Sequence, residues 1–122
     1  MHELSIAQSI IDGASEELGL HPGHRVAVVH LQVGQLSGVV KEALLFSYEL
    51  ACADTPLEGS VLEVEEITAT VFCRKCDKEQ ELDSIQHVAC TVCLTPSAEI
   101  VKGRELLITY LELTDEYAAA TG

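Results

Sequence analysis

The chain is 122 residues long, one domain's worth, with 48% apolar and 4% aromatic residues and no Trp. Its core must therefore rest on Val, Leu, Ile and Ala. Twenty Asp and Glu stand against seven Lys and Arg, net −13. That balance argues against nucleic acid and anionic membranes as partners, because both are bound through basic surfaces.

The elements follow in chain order. Residues 4–18 predict an amphipathic helix: Leu4, Ala7, Ile11, Ala14 and Leu18 recur at spacings of three and four, and Asp12, Glu16 and Glu17 lie off that stripe. Gly19 and Pro22-Gly23 stop it. Residues 25–33 read as a strand with Ala27, Val29, Leu31 and Val33 inward. After a turn over Gly34–Gly38, residues 39–52 predict a second helix. Its face is Val40, Leu44, Ser47 and Ala51, with Ala43 and Leu50 beside it, and Asp54-Thr55-Pro56 ends it.

Residues 60–72 read as one long strand and residues 105–113 as a third strand. Between them, residues 73–97 are polar and hold four of the five cysteines. They read as an insertion that leaves the sheet at Phe72 and returns near Glu99. The expected organisation is residues 1–72 with 98–114 as one α/β domain, 73–97 as a separate module, and 115–122 as a flexible tail. The acidity is uneven: residues 1–72 carry 11 acidic and 2 basic residues.

No apolar run approaches the ~18 residues of a membrane span, and the first ten residues lack the basic and apolar regions of a signal peptide. A cytoplasmic protein is the expectation. Thiols stay reduced there, so clustered cysteines read as metal ligands or redox centres before disulfides. No Walker A motif and no dinucleotide fingerprint is present, so any nucleotide chemistry must come from a partner.

Cys73-Arg74-Lys75-Cys76 and Cys90-Thr91-Val92-Cys93 are separated by thirteen residues. This is the paired-knuckle spacing of a tetrahedral four-thiolate site, and Zn(II) fits it. Arg74, Lys75 and Lys78 favour the ionised sulfurs. Leu82, Ile85, Val88, Val92 and Leu94 are too few to give the module its own core, so it should fold only around metal. Four protein thiolates leave no open position for water, so the zinc is structural rather than catalytic. The alternatives are two redox dithiols or a rubredoxin-like iron site. His87 is read as a solvated loop residue and Cys52 as a small buried one.

Met1-His2-Glu3 is the second unusual feature. The α-amine, the His2 imidazole and the backbone nitrogens of His2 and Glu3 can converge on one ion, and four nitrogens in a plane suit Ni(II) or Cu(II). The alternative is an exposed His2, with Glu3 stabilising the start of the first helix by charge. His21 and His24 flank a turn and should be solvated. His30 lies on the strand, opposite its apolar face.

Four stretches together resemble a known family: MHELSIAQSI at the start, LQVGQLSGVV from Leu31 to Val40, the CRKC and CTVC knuckles, and GRELLITYLEL near the end. They are similar to the HypA/HybF nickel metallochaperones of [NiFe]-hydrogenase maturation, from Met1 to about Leu113. The resemblance implies an α+β fold, with two helices packed on a small three-stranded sheet and an inserted four-cysteine, zinc-ribbon-like module. It implies nickel held by the Met1 amine and His2, with Glu3 part of the same motif, and zinc held by Cys73, Cys76, Cys90 and Cys93. It further implies a carrier, not an enzyme, monomeric or homodimeric. Its partners would be a HypB-type GTPase and the hydrogenase large-subunit precursor, and in some members urease maturation proteins. The second knuckle of the family commonly reads CPxC, and Thr91 departs from it. The competing readings are a zinc-ribbon protein-interaction module without a nickel role and a redox dithiol protein.

Overall fold

The computed structural model describes residues 3–82, 88–94 and 99–115. Helix α1, Glu3–Leu18, buries Ala7, Ile10, Ile11 and Ala14. That stripe is the expected one displaced slightly: Ile10 joins it, and Leu4 is left half exposed. Asp12, Glu16 and Glu17 face water. The helix ends where Gly19 N–H returns to the Ser15 carbonyl at 3.0 Å and His21 N–H to Leu18 at 2.9 Å.

Strand β1, His24–Gly34, buries Val26, Val29, Leu31 and Val33. Val26, not Ala27, is therefore the inward residue at its start, which shows that strict alternation fails before Val29. Helix α2, Lys41–Cys52, buries Leu44, Tyr48 and Cys52, a stripe at intervals of four. The expected face through Val40, Ser47 and Ala51 is rotated from this, and Val40 and Leu50 are exposed. The larger Tyr48 takes the inward position because its hydroxyl has a partner there, Ser60 Oγ at 2.7 Å. α1 packs against α2.

The strand expected over 60–72 is two strands in two sheets. β2 is Val61–Ile67 and β3 is Thr70–Cys73. β4 is Lys78–Glu81, β5 is Glu99–Lys102 and β6 is Leu106–Asp115. One sheet has the order β2-β1-β6, the other β4-β3-β5. Gln32 bonds Glu65 and Gln35 bonds Ile67, so β1 and β2 advance together, as strands joined by a helical crossover do. Contacts between Gly34 and Glu105 and between His30 and Glu112 show β6 running against β1. In the second sheet β3 is antiparallel to both neighbours, with Thr70 opposite Glu81, Cys73 opposite Lys78 and Phe72 opposite Glu99.

The break after Ile67 has an identifiable cause. The Ile67 carbonyl accepts Gln35 N–H at 2.9 Å, and Ala69 N–H bonds the Gln35 side-chain oxygen at 2.9 Å. One glutamine thus holds the chain on both sides of Thr68. The chain divides into two compact units, Met1–Leu31 with Val39–Val64 and Ile108–Gly122, and Gln32–Gly38 with Glu65–Leu107. The second unit has a small core of Ala69, Val71 and Leu82 with Leu36, Val88 and Ile100 against it. Four of those six lie outside 73–97, which is how a segment too poor in apolar residues acquires a core. The tail expected from 115 onward begins with Asp115 still in β6, and the rest of it lies outside the described residues.

Candidate metal centre

Cys73 is the last residue of β3, and β4 starts at Lys78. Asp77 closes the intervening turn: its N–H returns to the Cys73 carbonyl at 2.7 Å, with φ 55°. The second knuckle repeats the device. Leu94 N–H returns to the Cys90 carbonyl at 2.9 Å, with φ 60°. In each case the residue after the second cysteine adopts the left-handed conformation, which turns both sulfurs of a knuckle to the same side.

The result is convergence. The Sγ atoms of Cys73, Cys76, Cys90 and Cys93 all lie within 4.8 Å of one another. Cys73 and Cys93 are 3.5 Å apart and Cys76 and Cys90 3.8 Å. Four sulfurs placed tetrahedrally at the Zn–S distance would stand about 3.8 Å apart, so the set fits zinc. A disulfide would need about 2.05 Å, and all five cysteines are free thiols.

The electrostatics differ between the sulfurs. The Cys76 thiol is pushed up to about 12, first by hydrogen bonding with Cys93 and then by burial. Cys90 is held below its ordinary value, chiefly because the Cys93 amide donates to it at 3.5 Å, with the Val92 amide adding a second bond at 3.4 Å. A cation among the four thiols would remove the competition by replacing shared protons with metal–sulfur bonds.

Two ties flank the knuckles. Arg74 bonds Glu99 of β5, Nε to Oε1 at 2.7 Å, at the exposed surface. Thr91 bonds Gln80 of β4 through both its amide, 3.1 Å, and its hydroxyl, 2.8 Å. Sequence reading missed Gln80. It sits in the polar run KEQE, and nothing in that pattern marks one residue as facing the sulfurs. Thr91, noted as a departure, supplies the amide hydrogen that a proline would lack.

Of the other expected site residues, Met1, His2 and His87 lie outside the described residues. Glu3 opens α1 in its first turn and is half-buried. His21 pairs with Glu17 at 3.6 Å on the exposed end of α1. His24 is exposed at the start of β1. His30 bonds Glu112 at 2.5 Å and stacks on Tyr110, ring centroids 3.9 Å apart. Cys52 is buried, as its position on α2 suggests, with Ser60 Oγ 3.9 Å from its sulfur.

With this geometry in hand, residues 1–113 match the family model described as "Hydrogenase/urease nickel incorporation, metallochaperone, hypA". The chain belongs to the HypA family. It is 43% identical over 121 residues to the hydrogenase maturation factor HypA of Roseiflexus sp. (strain RS-1), covering 99% of this chain and 98% of that one. It is 43% identical over 112 residues to HypA of Chloroflexus aurantiacus (strain ATCC 29366 / DSM 635 / J-10-fl), covering 92% and 98%. The solution structure of the Ni metallochaperone HypA from Helicobacter pylori superposes with a TM-score of 0.67 at 20% identity, covering 95% of this chain and 100% of that one. A second solution structure, of HypA protein, gives 0.69 at 20% identity, covering 95% and 98%. The HypA fold is therefore shared over nearly the whole chain.

Proposed function

We propose that this HypA-family metallochaperone carries Ni(II) on its first three residues and keeps a structural Zn(II) on Cys73, Cys76, Cys90 and Cys93. The observation that carries the reading is the family match itself, which begins at residue 1 and so takes in Met1-His2-Glu3. The convergence of the four sulfurs supports the zinc half.

The division of labour follows from ligand chemistry. Four soft thiolates on two rigid turns make a closed site that suits zinc and has no vacancy for substrate. The terminal amine, the His2 imidazole and nearby backbone nitrogens make an open set with few side chains, which suits Ni(II) and allows release. Glu3 lies next in sequence and would orient His2 or complete the set. Nickel is cargo in this scheme, and the chain is a carrier rather than an enzyme. It acts in the cytoplasm with a HypB-type GTPase and hands nickel to the hydrogenase large-subunit precursor, with urease maturation proteins as further recipients. The net charge of −13 suits attraction of a divalent cation and docking on basic protein surfaces.

The test is metal analysis of untagged protein, with and without added nickel. One zinc per chain and saturable nickel that is lost in His2→Ala are expected. Stoichiometric zinc with no saturable nickel would leave the zinc-ribbon interaction module as the correct reading. No stable zinc, with reversible oxidation of the CxxC pairs, would favour the redox dithiol.

A further inference from the structure

Val71 and Cys73 are both buried and two residues apart on β3, so they share one face of the small sheet. Gln80 stands directly opposite Val71 on β4. It therefore belongs to the face that holds the sulfurs, while its neighbours Glu79 and Glu81 are exposed.

Its carboxamide is bonded in an uneven way. Oε1 receives three donors: Cys90 Sγ at 3.1 Å, Thr91 N–H at 3.1 Å and Thr91 Oγ1 at 2.8 Å. Nε2 is buried and has no hydrogen-bond partner among the described residues. A buried amide donor left unpaired is costly, so such an atom asks for an acceptor. A metal-bound sulfur is that acceptor. Once Cys90 ligates zinc its sulfur has no proton to give and can only accept. The contact through Oε1 then ceases to be a hydrogen bond. The terminal torsion of glutamine is soft, and a partial turn that leaves Oε1 on Thr91 N–H, which can only donate, brings Nε2 toward the sulfur. Thr91 Oγ1 both donates and accepts, so it holds either end of the carboxamide.

We propose that Gln80 is the positioning residue of the zinc site: its carboxamide holds the second knuckle through Thr91 and donates Nε2–H to the zinc-bound sulfur of Cys90. The inference rests on the zinc reading given above. Among the described residues, the side-chain tie at the first knuckle is the exposed Arg74–Glu99 pair. Water screens such a pair, so its hold on the knuckle is weak. The half-buried Gln80 tie, less open to water, therefore governs how fast the ion leaves. Loss of outer-shell partners of this kind weakens metal sites by about 10- to 100-fold.

The experiment compares full-length native protein with Gln80→Leu, Thr91→Val and Glu99→Gln. It measures zinc transfer to excess 4-(2-pyridylazo)resorcinol and the sulfur-to-cobalt charge-transfer band of the Co(II) forms. Gln80→Leu keeps the bulk of the side chain but neither donor nor acceptor. It should release zinc roughly 10- to 100-fold faster and move the band to lower energy, because the Cys90 sulfur loses a hydrogen bond. Thr91→Val should shift both in the same direction by less, and it carries the test if Gln80→Leu does not fold. Glu99→Gln should leave the band in place and the rate within about twofold. An unchanged rate and band in Gln80→Leu, with one zinc per native chain, would overturn the role of Gln80. Absence of zinc from the native chain would instead overturn the zinc reading.

Discussion

Gly34→Ala tests the reasoning about how the second unit is built. A Cβ at Gly34 would stand 2.1 Å from the Gly103 carbonyl oxygen, 2.2 Å from its carbon and 2.6 Å from Arg104 N. All three are backbone atoms, so no side chain can rotate away. The two segments are pinned here: Gly34 N–H donates to Glu105 O at 2.7 Å, and Leu36 N–H donates to Gly103 O at 2.6 Å. Gly103 in turn has φ 122° and sits where its own Cβ would meet the Ala69 Cα at 2.8 Å, so it cannot retreat. Restoring van der Waals contact needs a shift of roughly 1 Å between them. Overpacking costs about 1–3 kcal/mol, and each weakened backbone bond about 1 kcal/mol. The expected loss is about 3–5 kcal/mol, or roughly 10–20 °C in Tm for a chain of this size. Thermal unfolding of zinc-loaded protein followed by circular dichroism measures it. Gly13→Ala is the contrast. It lies inside α1, and its Cβ would make ordinary contact with Ile108 at 3.7 Å. It should stabilise by about 0.5–1 kcal/mol. If Gly34→Ala unfolds within about 1 kcal/mol of native protein, the close approach has been misjudged.

Other outcomes follow from the same contacts. Tyr48→Phe removes the 2.7 Å bond to Ser60, but Ser60 keeps its bond to the Leu57 carbonyl at 2.6 Å. It should cost only about 0.5–1.5 kcal/mol in denaturant titrations, against about 3–5 for Tyr48→Ala, which empties a buried site. Chelation of zinc should lower Tm and expose four thiols to rapid reaction with Ellman's reagent while Cys52, 3% exposed, reacts slowly. Five thiols reacting at one rate would contradict the burial of Cys52. A residue added before Met1 should abolish saturable nickel binding and leave zinc at one per chain, since it moves the α-amine away from His2.

Much of the fold was legible in the sequence because its signals are local. The 3.6-residue period in α1 and the paired spacing of two CxxC turns depend on neighbours a few residues away. The face of α2 was misjudged because Tyr48 looks amphipathic until Ser60, twelve residues on, is known to satisfy its hydroxyl. The strand over 60–72 was read as continuous because SVLEVEEITATVF has no proline or glycine. What divides it is the Gln35 side chain, more than thirty residues earlier, which no periodicity reports. Gln80 escaped for the same reason: its importance lies in the chain that folds back onto it.

The two metals should also separate by pH. Every ligand must lose its proton to bind, so acid weakens both sites. At the amino terminus the α-amine titrates near ~7.7–8.0 and the imidazole near ~6.5, so both pass from mostly free to substantially protonated between about pH 8 and pH 6.5. The product of the two free fractions falls roughly 20-fold, and nickel affinity should fall by at least that much, because backbone nitrogens in the set also release protons when they bind. Zinc faces four thiols, and each proton taken up costs at most about 0.7 kcal/mol per half pH unit. From pH 7 to 6.5 that is roughly 3 kcal/mol at most, against an apparent binding energy on the order of 10–16 kcal/mol at pH 7 for zinc-finger peptides. Dialysis of the loaded protein at steps from pH 8 to pH 6.5, with both metals counted, should therefore strip nickel while zinc stays at one per chain. Loss of the two together would mean that nickel shares the thiolates, and nickel retained unchanged at pH 6.5 would mean that carboxylates hold it.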